Sequence, residues 1–180
     1  GTTDLSPWGS ANQSKTWTTA GSYSVRAKAR CVTDTGVTSS WSTSLPVTIT
    51  QATVSYTVTT SPTGRQITVD GSTLTAPQTF TWAVGSTHTL SVPSPQAGAT
   101  GTQYVFASWS DSGAQSHSVT VPSSATTMTA TLTTQYSLTT AASPTAGGTV
   151  SPSGTSWQNS GQVVSVTATA NAGYSFSSWS

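Results

Sequence analysis

Glutamate does not occur in this chain, and charged residues fill only 5% of its 180 positions. Ordinary soluble proteins carry about 25%. The acids are Asp4, Asp34, Asp70 and Asp111; the bases are Lys15, Arg26, Lys28, Arg30 and Arg65. A formal net charge of +1 leaves no dense basic patch of the kind nucleic acid requires. Apolar runs stay far below the roughly 18 residues of a membrane-crossing helix, so no membrane insertion is expected. The single cysteine, Cys31, excludes an internal disulfide framework and a thiolate metal cluster. The helical spacing i, i+3, i+4, i+7 is missing as well.

Hydroxyls stand where charge is lacking. Ser and Thr occupy roughly two fifths of the positions, far above ordinary usage. Threonine suits the solvated face of a strand and serine suits turns. Such a surface is unusual in the cytosol and fits an exported protein, secreted or held at the cell surface. Seven Trp, five Tyr and three Phe supply large apolar units, about 150–250 Å² each when buried. Several small cores are therefore feasible. Period-2 runs of aromatic and β-branched residues argue against disorder. Gly, Pro, Asn, Asp and Ser punctuate these runs about every ten residues, which predicts an all-β fold of tandem small sandwich-type domains.

Three units follow from the spacing: residues 1–51, 52–135 and 136–180. In the first, Tyr23, Val25, Ala27, Ala29 and Cys31 alternate with Ser24, Arg26, Lys28 and Arg30, predicting one long strand with a buried face. In the second, Asp70-Gly71 between β-branched runs predicts a hairpin with a type I′ turn. A second hairpin is expected over Phe80–Val92. A bulged Gly85–Thr87 loop there pairs Trp82 with Leu90 and Phe80 with Val92. The third unit repeats the second: Tyr104-Val-Phe-Ala-Ser-Trp-Ser110 returns as Tyr174-Ser-Phe-Ser-Ser-Trp-Ser180, and Ser55-Tyr-Thr-Val-Thr-Thr60 as Gln135-Tyr-Ser-Leu-Thr-Thr140.

Two resemblances accompany this reading. Ser22-Tyr-Ser-Val-Arg-Ala27, followed by Ser39-Ser-Trp-Ser-Thr-Ser-Leu-Pro-Val-Thr-Ile49, resembles the last strands of a PKD-type immunoglobulin-like domain. It implies that residues 1–51 are the C-terminal part of such a domain. Gly147-Gly-Thr-Val-Ser-Pro-Ser-Gly154, Trp157 and Gly173-Tyr-Ser-Phe-Ser-Ser-Trp179 resemble the bacterial repeats grouped with the divergent internalin B-repeat. Residues 136–180 would then be the N-terminal part of a second repeat. Trp109–Val119 is similar to a hairpin common near the ends of long exported bacterial proteins.

Candidate chemistry is sparse. A glycosidase needs two carboxylates about 5–9.5 Å apart, and Asp34, Asp70 and Asp111 all sit in turn sequences. The nucleophile elbow G-x-S-x-G is absent. Asp111, Ser116 and His117 lie close in sequence, but His117 and His88 share parity with core positions. Asp4 with Asp34 is the one conceivable start of a calcium site, and no cofactor or metal is expected. Cys31 reads as an inert core thiol. Arg26, Lys28 and Arg30 form a basic stripe, either an edge guarded against aggregation or a face for an anionic partner. Trp82, Trp109 and Trp179 fall at core positions of patterned strands, and Trp41 matches a position of the immunoglobulin-like resemblance. Trp8, Trp17 and Trp157 remain as candidates for stacking on a glycan. The expected function is non-catalytic: an extracellular structural or spacer segment, able to pair strands with further copies. The alternatives are a carbohydrate-binding accessory region of a secreted hydrolase and an adhesin segment.

Overall fold

A computed structural model describes residues 14–31, 33–34 and 36–180. The chain divides into two compact units, Gly1–Thr53 and Val54–Ser180. Both are built from strands, so the chain adopts the all-β fold expected from its punctuation.

In the first unit β1 (Gly21–Val25) pairs antiparallel with β2 (Leu45–Ile49), placing Tyr23 opposite Val47. The long strand expected to reach Cys31 ends at Val25. Beyond it, serine hydroxyls stand in for ladder partners. Ala27 N–H donates to Ser42 Oγ at 3.0 Å and Ala29 N–H to Ser39 Oγ at 2.9 Å. Ser42 and Ser39 N–H groups donate back to the carbonyls of Ala27 and Ala29. A side chain that bonds the backbone competes with the regular ladder. No described residue of this unit is fully buried: Ala27 and Ala29 are exposed and Cys31 only half-buried. The thiol is therefore no core residue. Its Sγ meets Thr33 Oγ1 at 3.3 Å and the Asp34 N–H at 3.4 Å, contacts that hold its pKa below the ordinary value.

The second unit holds two larger sheets. One orders β10 (Ser116–Thr120), β7 (Thr87–Ser91), β4 (Gln66–Val69) and β5 (Ser72–Thr75). The other orders β6 (Gln78–Ala83), β3 (Thr53–Ser61), β11 (Thr126–Thr140), β9 (Thr102–Trp109) and β8 (Gln96–Ala97), with β13 (Gly154–Asn159) also on β11. Tyr56, Val58, Ile67, Leu90, Trp109 and Met128 belong to one buried cluster drawn from both sheets. Most of these residues alternate with threonine, serine or glutamine along their strands, which is why one face of each sheet is apolar.

The Asp70-Gly71 turn forms as expected: Val69 faces Ser72, and both turn residues have positive φ (48° and 81°). The Phe80–Val92 hairpin does not. β6 pairs with β3, whereas β7 lies between β4 and β10, so the chain crosses from one sheet to the other at Gly85 (φ 80°). Trp109–Val119 crosses in the same way, since β9 pairs with β11 and β10 with β7. Alternation fixes the face a residue shows to the core. It does not say whether its apolar neighbour sits beside it or across the sandwich.

A bulge in β9 shapes the core. Thr131 faces Ser108 but Leu132 faces Phe106, leaving Ala107 without an opposite. The extra residue lets Phe106 and Trp109, three apart, both turn inward. β11 then runs unbroken through Gln135 and Tyr136, the boundary expected between the second and third units, and its far end carries β13. β12 (Gly148–Ser151) and β14 (Thr167–Ala170) form a further antiparallel pair.

Candidate functional site

Among the described residues, a polar group of linked side chains gathers where the β4–β5 turn meets the start of β7. Asp70 leaves the β4–β5 turn with Oδ1 accepting the Thr89 N–H at 2.8 Å and Oδ2 2.7 Å from His88 Nδ1. His88 Nε2 lies 3.0 Å from Ser86 Oγ, and the ring stacks on Trp82 with centroids 3.7 Å apart at 8°. Contact with His88, then with the Thr89 amide, holds the Asp70 carboxyl below its usual pKa. The order Asp–His–Ser is that of a hydrolytic triad. Acyl transfer also needs amide hydrogens aimed at a developing oxyanion. Here the Gly85 and Ser86 N–H groups donate to Val121 O and Ala83 O, and the Ser86 hydroxyl donates to Ala83 O at 2.7 Å. These bonds tie the sheet crossover at Gly85 to the β4–β5 turn. The arrangement is a staple.

A second staple sits one strand away. His117 Nε2 lies 3.0 Å from Asp111 Oδ2, and Nδ1 is 2.8 Å from the Ala114 carbonyl. The ring meets Trp109 edge-on at 5.6 Å. Asp111 Oδ1 also accepts the Gly113 N–H at 2.9 Å, the turn role its sequence implied. Both nitrogens of His117 are thus held by Asp111 and Ala114, and Ser116 is not joined to them. Asp34 likewise closes its turn by accepting the Gly36 N–H at 3.0 Å.

Other candidates are scattered. Trp8 and Asp4 lie outside the described residues. Trp17 packs on Tyr23, with centroids 4.1 Å apart. Arg26 and Lys28 both stand 5.7 Å from the Trp41 ring centre, so two members of the basic stripe cover an indole. Arg30 forms an isolated bridge with Thr38. Trp157 lies on the solvated face of β13 and is 43% exposed. Trp179, expected in a core, is 53% exposed.

Amide side chains escaped the sequence reading. Buried Gln96 accepts the Gln66 N–H through Oε1 at 2.8 Å and donates through Nε2 to Gln66 O at 2.9 Å and Pro93 O at 3.0 Å. It acts as a substitute strand along β4 and links the two sheets. Gln103, Gln135 and Asn159 form a row across β9, β11 and β13. A lone Gln in a Thr-rich sequence carries no periodicity, so only strand register could reveal these roles.

The model of the divergent InlB B-repeat domain family matches residues 138–180. The C-terminal repeat thus has the sequence character of a bacterial repeat domain. No curated protein gives a significant match, and no solved structure does either.

Proposed function

We propose that this chain is a non-catalytic structural segment of an exported bacterial protein, spacing or assembling material outside the cell without a cofactor. Repetition carries the reading. The Tyr-x-Phe-x-x-Trp framework of β9 recurs at Tyr174, Phe176 and Trp179, inside the stretch that matches a bacterial repeat family. Tandem repetition suits a mechanical role, because copies of one strand framework extend a chain without adding chemistry. The units proposed as beads are 1–51, 52–135 and 136–180, the first of them immunoglobulin-like.

A sharper form concerns self-association. Tyr104 and Phe106 pack against the core and Trp109 within it, on a strand paired with β11. Their counterparts Tyr174, Phe176 and Trp179 are 51–53% exposed, and residues 171–180 pair with no described strand. Pairing with β11 flanks the first set, whereas the second set has an open flank that the same segment of a second copy can fill by strand pairing. Light scattering behind a sizing column tests this. Molar mass should rise with concentration, and Phe176→Ser with Trp179→Ser should stay monomeric. A folded wild-type chain that remains monomeric at every concentration would sink the self-association. Export is tested separately: brief protease treatment of intact source cells should release fragments of this segment.

A further inference from the structure

The outward face of the six-stranded sheet carries chemistry that the core does not use. Residues at odd positions along β11 point away from the buried Met128, Ala130 and Leu132. In one row across the sheet, Gln103 Nε2 donates to Gln135 Oε1 at 2.7 Å, and Gln135 Nε2 donates to Asn159 Oδ1 at 2.8 Å. In the next row Trp157 lies opposite Ser137, whose N–H donates to the Gly101 carbonyl at 2.9 Å. The indole therefore stands beside a low shelf, with small residues on one side and carboxamides in the adjoining row. No acid, lysine or arginine occurs between residues 112 and 180.

Thr57, the counterpart of Ser137 in the first repeat, meets Thr79 with 3.0 Å between hydroxyls, and Thr139 meets Thr155 at 2.9 Å in the second. Trp157 keeps 43% of its surface exposed on this face, beside side chains that can hydrogen-bond.

We propose that Trp157, with the Gln103–Gln135–Asn159 row, is a binding platform for an uncharged polysaccharide. The indole offers a flat apolar surface to the C–H face of a pyranose. A carboxamide has two N–H donors and two lone pairs, so each amide in a head-to-tail row keeps capacity for a sugar hydroxyl. Sugar hydroxyls both donate and accept, which matches amides better than ions. An anionic polymer finds no cation on this face. The platform is open and shallow, so a single site binds weakly.

Affinity electrophoresis of the 180-residue chain through gels holding hydroxyethylcellulose, galactomannan or laminarin, with polygalacturonate as the anionic control, tests the proposal. At least one neutral polymer should retard the chain. Trp157→Ala should raise the dissociation constant at least tenfold and Gln135→Ala a few-fold. Trp157→Phe, which keeps a ring, should retain part of the binding. Trp179→Ala, which alters another exposed indole, should bind as the wild type does. Melting curves of the variants should superimpose on the wild type. Retardation by polygalacturonate alone, no retardation by any of the three neutral polymers, or wild-type binding by Trp157→Ala would each overturn it. Loss of binding in Trp179→Ala would overturn the site as well. None of these outcomes bears on the spacer reading, which light scattering and surface proteolysis address.

Discussion

Asp70 shows how much one residue does in a chain with so few charges. Its backbone makes the left-handed step of a type I′ turn, while its carboxylate orders His88 and caps the Thr89 amide. Asn tolerates the same φ and keeps the hydrogen-bonding shape without the charge. Asp70→Asn should therefore cost about 1 kcal/mol at pH 7, a modest figure because the carboxylate is half exposed. The folded-state pKa of Asp70 is lowered. Its contribution is then complete above the unfolded value of about 4 and is lost as pH falls through the folded value. Urea midpoints of wild type and variant should differ at pH 7 and converge once pH falls below the lowered folded-state value. A gap independent of pH would show that the charge contributes nothing. At Gly113, an added Cβ would stand 2.6 Å from the His117 ring. Gly113→Ala should displace that ring from Asp111 and cost about 1–2 kcal/mol, with the His117 proton resonances shifting.

Among the elements, the bulge of β9 is written plainly in the spacing of its aromatics. Aromatics at Tyr104, Phe106 and Trp109 are two and then three residues apart. A regular strand would send Trp109 to the opposite face. The bulge at Ala107 restores it, and Trp109 ends only 2% exposed. Deleting Ala107 should turn Trp109 outward and destabilise the unit by about 3–5 kcal/mol, the range for emptying a large aromatic site. A near-native melting temperature and unchanged Trp fluorescence would contradict this. The Asp70-Gly71 hairpin was legible because its turn chemistry is local. The crossovers at Gly85 and Asp111 were not, because Phe80 and Trp82 satisfy the same apolar pattern beside Leu90 or across from it.

For the whole molecule, the two repeats differ in how far they are closed. The first surrounds a contiguous core with both sheets, and β11 passes from it into the second without a break. Their shared strand ties the two repeats mechanically, so force applied to one passes along β11 into the other. Pulling a tandem of this chain by atomic force microscopy should give one large rupture for residues 54–140 at higher force than any event in residues 141–180. A higher force for the later residues would contradict the closed-core account.

The sequence by itself determined the class of the protein. Period-2 alternation, turn residues with positive φ and the duplicated Tyr-x-Phe-x-x-Trp stretch are local or repeated features, and each follows from the pleat of a strand or the sterics of a turn. Tertiary structure decided which strands are neighbours, and with that the polar groups that join separate strands. His88 meets Asp70, Gln96 meets Gln66 and Gln135 meets Asn159 across 18, 30 and 24 positions of sequence. A hydrogen bond has no period to reveal it. Its partners become visible only when register sets two strands about 5 Å apart.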